Sequence, residues 1–174
     1  MNMLQHVTTF LIAYYVNIQH IFLISACNSG WTSFGHTGYC YQYFPTLKSW
    51  NASRRFCQSV APPGKQGDLA SVGDHFTNNF LSSLTSKDVW IGGYKDAIYG
   101  WSWSDGTRWR YNAWSRGKPN NGGGNQHHLA FNFQSSLGDW NDANVNTEKG
   151  FICEYTGIEI YLICMEIVIH CTLF

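Results

Sequence analysis

The chain has 174 residues, 44% hydrophobic and 17% aromatic, enough for one compact domain and short for two. Eleven basic residues balance eleven acidic ones, so no global field draws it to nucleic acid or to a membrane surface. The six cysteines, at 27, 40, 57, 153, 164 and 171, form no CxxC pair, which argues against a zinc knuckle and for structural disulfides in an oxidising compartment.

Residues 1–26 read as a signal peptide. The stretch 7–26 is largely apolar and ends FLISA, with Ser25 and Ala26 supplying the small residues that cleavage needs. The alternative is an uncleaved signal anchor, but Asn17, Gln19 and His20 would then sit near mid-membrane at some cost. A cleaved leader makes the protein secreted and extracellular, and only an uncleaved one would tie it to a membrane.

Residues 27–44 (CNSGWTSFGHTGYCYQYF) place aromatic and β-branched residues around a glycine-rich centre, which predicts a hairpin. Leu47, Trp50, Phe56, Cys57 and Val60 recur at helical spacing, with Thr46 placed to cap and APPG placed to stop the helix. A strand is predicted at 69–72. A second helix is predicted at 75–84, with Asp74 as cap and Phe76, Phe80 and Leu84 on one face. VWIGG at 89–93 reads as a buried strand, and 129–133 and 150–155 read as closing strands. Between them, residues 104–127 are rich in glycine, asparagine and arginine, a long irregular segment of the kind that carries function when ordered. The tail, 157–174, is apolar but carries Glu159, Glu166 and His170, and it is short for a spanning helix.

Chemistry concentrates in the irregular segment. RWRYNAWSRGK at 108–118 interleaves four cations with three aromatics, which would grip an acidic glycan or surface, or else leave the cations in solvent with the tryptophans turned inward. KPNNGGGNQHH at 118–128 offers amide oxygens to a hard cation, yet it contains no carboxylate and opens on a lysine. His127 and His128 are adjacent and would point apart on a strand, with no third ligand for a transition metal. Asn51-Ala52-Ser53 is a glycosylation sequon. No HExxH, GxSxG, P-loop or dinucleotide motif occurs, so no enzyme activity is expected.

CNSGWTSFGHTGYCY, WNASRRFC, DLASV, WIGG, WSWSDG, WSRGKPN, WND and GFICE follow one another over residues 27–156. In that order they resemble the C-type lectin-like domain in its long form, with an N-terminal hairpin. The resemblance implies an α+β fold of two helices and two small antiparallel sheets around a long irregular loop. It also implies Cys57–Cys153 and Cys27–Cys40 disulfides, and Trp90, Trp101 and Trp103 as core anchors. At the family's second internal disulfide stand His128 and Val145, so the long loop lacks that staple.

Sugar-binding members of that family hold a calcium ion through a Glu-Pro-Asn type motif, a later acid, and the Asn-Asp of WND. Carried over position by position, the ligand set is Asn120, Gln126, Asn141 and Asp142, with Lys118 where the first glutamate would be. Three carboxylates have become one. Calcium affinity follows ligand charge, so any binding should be weak. The Lys118 ammonium either sits by Asp142 and Asn120 in place of the ion or points to solvent. The expected function is extracellular recognition of a glycan or glycoprotein, with weak or absent calcium dependence. Calcium-independent binding of protein, or a structural role in a secreted matrix, are the alternatives.

Overall fold

A computed structural model describes the backbone of residues 18–165 and 172–173 and side chains within 27–157 (Ser135 apart). The expected leader's residues 1–17 and the tail's Glu166, His170 and Cys171 lie outside the described residues. The chain divides into two units, residues 27–157 and the two flanking segments. In the flanking unit, β1 (Ile18–Ala26) pairs antiparallel with β10 (Ile158–Met165), which in turn pairs with β11 (Thr172–Leu173). Among the described residues no helix is long and apolar enough to cross a membrane.

The 27–157 unit is α+β. In chain order its elements are β2 (Thr32–Phe34), β3 (Tyr39–Lys48), α1 (Trp50–Val60), β4 (Gly67–Leu69), α2 (His75–Leu84), β5 (Val89–Asp96), β6 (Gly100–Trp103), β7 (Gln126–Phe131), β8 (Trp140–Asn144) and β9 (Lys149–Thr156). The main strand order is β2-β3-β9-β5-β7-β8, with β4 also on β9 and β6 also on β5. The two expected antiparallel sheets are joined into one by a short parallel pairing, Val89 with Gly150 and Trp90 with Phe151.

Strand alternation sends successive side chains to opposite faces of this sheet and so splits the core in two. Val89, Ile91, Leu129, Phe131 and Ile152 join Leu81 of α2 and the tryptophans Trp103 and Trp140. Trp90, Ala130, Phe151 and Cys153 join Trp50 and Cys57 of α1. Disulfides join Cys27 to Cys40 in the hairpin and Cys57 of α1 to Cys153 of β9, with Cα separations of 5.6 and 5.2 Å. The second bridge sits where α1 lies on the sheet, and there is no spare volume beside it. A Cβ on Gly67 would stand 2.4 Å from the Cys57 carbonyl oxygen, so only glycine fits.

α2 spans the predicted residues, and the Asp74 carboxylate accepts from the Thr77 N–H as an N-cap should. Its buried face is Thr77, Asn78 and Leu81, with Phe80 and Leu84 packed against the same core. Phe76, expected on that face, is instead 55% exposed and stacks with His36 and His75. The expected Thr46 cap is also corrected. β3 stays extended to Lys48, which pairs with Lys149, so α1 begins only after Ser49. Leu47, counted into the helix by its spacing, lies in the strand and is 63% exposed. Pairing along β9 outweighs a helical period that local sequence alone supports. The strand predicted at 69–72 forms instead at Gly67–Leu69, against β9.

Candidate functional site

Two features bring the long loop back to the sheet. The first is a row of aromatic contacts. Trp109 stacks on Trp103 at 4.6 Å between centroids, Trp114 packs on Trp101 at 4.6 Å, and Tyr111 meets the edge of Trp140. The second is a set of backbone bonds to β8. Trp140 N–H donates to the Ala113 carbonyl at 2.8 Å and Ser115 N–H to the Trp140 carbonyl at 2.9 Å. The tryptophans of the RWRYNAWSRGK segment are therefore anchors turned inward.

The chain then reaches the cis Lys118-Pro119 bond and the asparagines. Asp142 of β8 is fully buried, and the loop wraps it with its own backbone. Asn120 N–H donates to Asp142 Oδ1 at 3.0 Å, and Asn121 N–H donates to Oδ2. Asn121 takes up a left-handed conformation, φ 48° and ψ 45°, which an asparagine tolerates better than most side chains. Its Oδ1 accepts from Gln126 N–H at 3.0 Å, Gln126 Oε1 accepts from Gly122 N–H at 2.7 Å, and Asn120 Oδ1 accepts from the same N–H at 3.3 Å. The amide oxygens of Asn120, Asn121 and Gln126 are thus each occupied by a backbone donor of the loop.

The structure brings Asn120, Gln126 and Asp142 into one hydrogen-bonded arrangement. Lys118 takes neither of the two places open to it in the sequence, beside Asp142 or out in solvent. Its ammonium lies over the Phe133 ring, 5.0 Å from the centroid. Two backbone N–H groups, one on each oxygen, stabilise the Asp142 carboxylate by charge-assisted hydrogen bonds. Asn141, the neighbour on β8, contributes a buried Oδ1 with no hydrogen-bond partner among the described residues. His127 is exposed, while His128 packs its ring 4.6 Å from that of Trp50. Burial, with the neighbouring His127 adding to it, pushes His128 down to about 4. These two histidines do not converge on a shared ligand. Among the described residues no group of three or more His, Cys, Asp or Glu side chains is placed to hold a metal ion.

Comparison with known proteins decides the family. The family model for the lectin C-type domain matches residues 46–155. The chain belongs to the C-type lectin domain family. This lectin domain is 36% identical over 139 residues to a lectin of the newt Pleurodeles waltl, covering 75% of this chain and 76% of the relative. Among solved structures it resembles the C-type lectin CEL-I from Cucumaria echinata, with a TM-score of 0.66 at 26% identity over 75% of this chain and 97% of that one. It also resembles a calcium-independent type II antifreeze protein, with a TM-score of 0.68 at 26% identity over 80% and 99% of the two chains.

Calcium is the ion this family implies, and the residues here do not fit it. The donor set holds one carboxylate, and both its oxygens already accept backbone N–H groups. The amide oxygens of Asn120 and Gln126 are likewise taken. Hard divalent ions need six to eight oxygens, charged ones for affinity.

A further polar cluster escapes sequence reading. Arg54 of α1 grips Asp68 of β4 with three hydrogen bonds of 3.1 Å and donates to the Ser104 carbonyl at 2.7 Å. Beside it lies a 660 Å³ cavity lined by, among others, Tyr39, Arg54, Asp105 and Glu154. Burial holds the Glu154 carboxyl well above the usual carboxylate range, and Asp105, hydrogen-bonded to it, adds to the shift. Asp105 Oδ2 and Glu154 Oε2 are both buried with no hydrogen-bond donor among the described residues. The only signal in the sequence was a pair of acids within the DG and CE landmarks, distant in the chain.

Proposed function

We propose that this lectin domain is a secreted carbohydrate-recognition module that works without calcium. Its ligand surface is the end of the long loop with Asn120, Gln126, Asn141 and Asp142, and Lys118 at its edge. The observation that carries this reading is Asn141 Oδ1, buried and unpartnered in an arrangement whose other oxygens are all occupied. An unmet buried acceptor costs about 1–3 kcal/mol, and a sugar hydroxyl would meet it once the loop side chains over it move aside on binding. The relatives support the same direction, since the newt protein is a lectin and the antifreeze neighbour is described as calcium-independent. Asn51, exposed on the first turn of α1, is open to N-glycosylation in a secreted chain.

Loss of chelation also predicts weaker selectivity. An ion with open coordination positions holds two vicinal hydroxyls in fixed geometry, whereas amides hold one at a time. A glycan array probed in calcium and again in chelator tests the reading. Binding that is equal in both conditions is the expected result. Binding abolished by chelator would restore calcium to the site, and a blank array together with capture of a protein ligand would replace sugar recognition by protein recognition.

A further inference from the structure

The charge of this neutral chain is segregated. From position 106 to position 138 it contains no Asp or Glu, but Arg108, Arg110, Arg116 and Lys118. Lys118 is engaged over Phe133. The three arginines are exposed. The ion pairs among the described residues are His36–Asp74, Arg54–Asp68 and Lys149–Asp88, so none of the three has an acidic partner there.

The segment that carries them is fixed from within. Trp109 and Tyr111 pack against the core, and Trp109 Nε1 donates to Asn112 Oδ1 at 2.9 Å. Arg108 and Arg110 flank these anchors and remain outside. Arg116 stands at the corner of a turn closed by Lys118 N–H to the Ser115 carbonyl at 2.9 Å. Gly117 follows at φ +76°, a value that a side chain would strain. The backbone beneath the three guanidinium groups is therefore ordered before any ligand arrives, and only side-chain freedom remains to be lost on binding.

We propose that Arg108, Arg110 and Arg116 form a binding surface for a sulfated polysaccharide. The proposal rests on the carbohydrate reading above and adds a charged ligand class to it. A guanidinium presents paired N–H donors that match the oxygens of a sulfate group, and several such groups on one chain would engage the three arginines together. Two other polyanions fit less well. Single-stranded nucleic acid needs aromatic faces for its bases, and Trp109, Tyr111 and Trp114 are packed against the core. An anionic bilayer needs an apolar face beside the cations, and among the described residues the exposed large hydrophobic ones, Leu47, Phe76, Ile98, Tyr99 and Leu137, lie outside the arginine segment.

Calorimetry of the full chain against heparin, fully desulfated heparin and oligo-dT, repeated over a range of salt, tests this surface. Heparin should bind with an affinity that falls as salt rises, and the other two should bind far more weakly. The triple variant R108Q/R110Q/R116Q should lower the slope of log affinity against log salt by about one unit per arginine removed. Its melting temperature should stay near that of the wild type, because the arginines lack partners to lose. The charge-retaining variant R108K/R110K/R116K should keep most of the salt slope while binding less tightly, which holds the test open if the glutamine variant folds poorly. Equal binding of desulfated heparin or of oligo-dT would overturn the proposal, as would heparin binding undiminished in the glutamine variant. A wild type that binds neutral glycans on the array but not heparin removes this surface and leaves the carbohydrate reading standing. One that binds neither removes both.

Discussion

At the scale of single residues, Asp142 is the side chain on which the loop depends. It is fully buried and accepts from two backbone N–H groups, so its removal leaves both donors without their partner. Asp142→Ala should cost about 1–3 kcal/mol for each buried donor that water cannot reach. Lys118→Ala removes a contact with the Phe133 face, worth about 0.5–1 kcal/mol at a partly exposed site. Urea denaturation of the two variants ranks them directly, and a Lys118→Ala cost above that of Asp142→Ala would put the ammonium back beside the carboxylate. The same comparison separates a loop held by its own backbone from one held by a built-in cation.

At the scale of elements, the carboxyl pair Asp105–Glu154 couples the entry to the long loop with β9, and Ser71 donates to Glu154 Oε1 at 2.9 Å from the segment after β4. The folded-state shift of Glu154 is upward, so between its ordinary value of 4.5 and its raised folded value the native chain binds more protons than the unfolded one. Its contribution is therefore complete below the unfolded value and is lost as pH rises through the folded one. Glu154→Gln keeps a donor for Asp105 and an acceptor for Ser71 without the charge. Thermal melts should show that variant gaining on the wild type as pH is raised from 4.5 to 8; parallel curves would mean that burial does not raise Glu154. Asp74, the cap of α2, works on the acid side. Burial pushes it up, but the Thr77 N–H and His36 outweigh that and hold it at about 2, so its contribution is lost as pH falls from its ordinary 3.8 toward that value.

For the whole molecule, the Cys57–Cys153 bridge closes a separation of 96 residues. A crosslink of that span is worth about 4–5 kcal/mol in the chain-entropy model, a large share of the stability of a domain this size. Calcium should add little beyond it. A ligand stabilises by RT ln(1 + [L]/Kd), and with one carboxylate in the set a Kd in the millimolar range leaves under about 1 kcal/mol at a few millimolar calcium. The melting temperature should then move by no more than a few degrees. Lys118→Glu with Gln126→Glu returns two carboxylates to the loop and should create calcium binding measurable by calorimetry. Failure of that double variant to bind would mean that Asp142 cannot release the Asn120 and Asn121 N–H groups.

The sequence by itself determined most of the elements and their order, though not the strands β6 and β8. α2 and its Asp74 cap, the hairpin, the VWIGG strand and the landmark series all rest on signals a few residues long: periodicity, a capping side chain, turn glycines. It also determined the chemistry available at the loop, because a lysine and a glutamine cannot supply the charge of two glutamates. Tertiary structure decided where that chemistry points. β3 runs past Thr46 because β9 lies beside it, and Phe76 faces outward because His36 of the hairpin turn reaches α2. Lys118 lies over Phe133, while backbone N–H groups of the loop take the two oxygens of Asp142. Arg54 meets Asp68 and Glu154 meets Asp105 only once helix, strand and loop converge. Periodicity and capping are local, and a short window of sequence contains them. The partner of a lone pair or a charge is chosen by chain segments that folding alone brings within 3 Å or so of each other, the reach of a hydrogen bond.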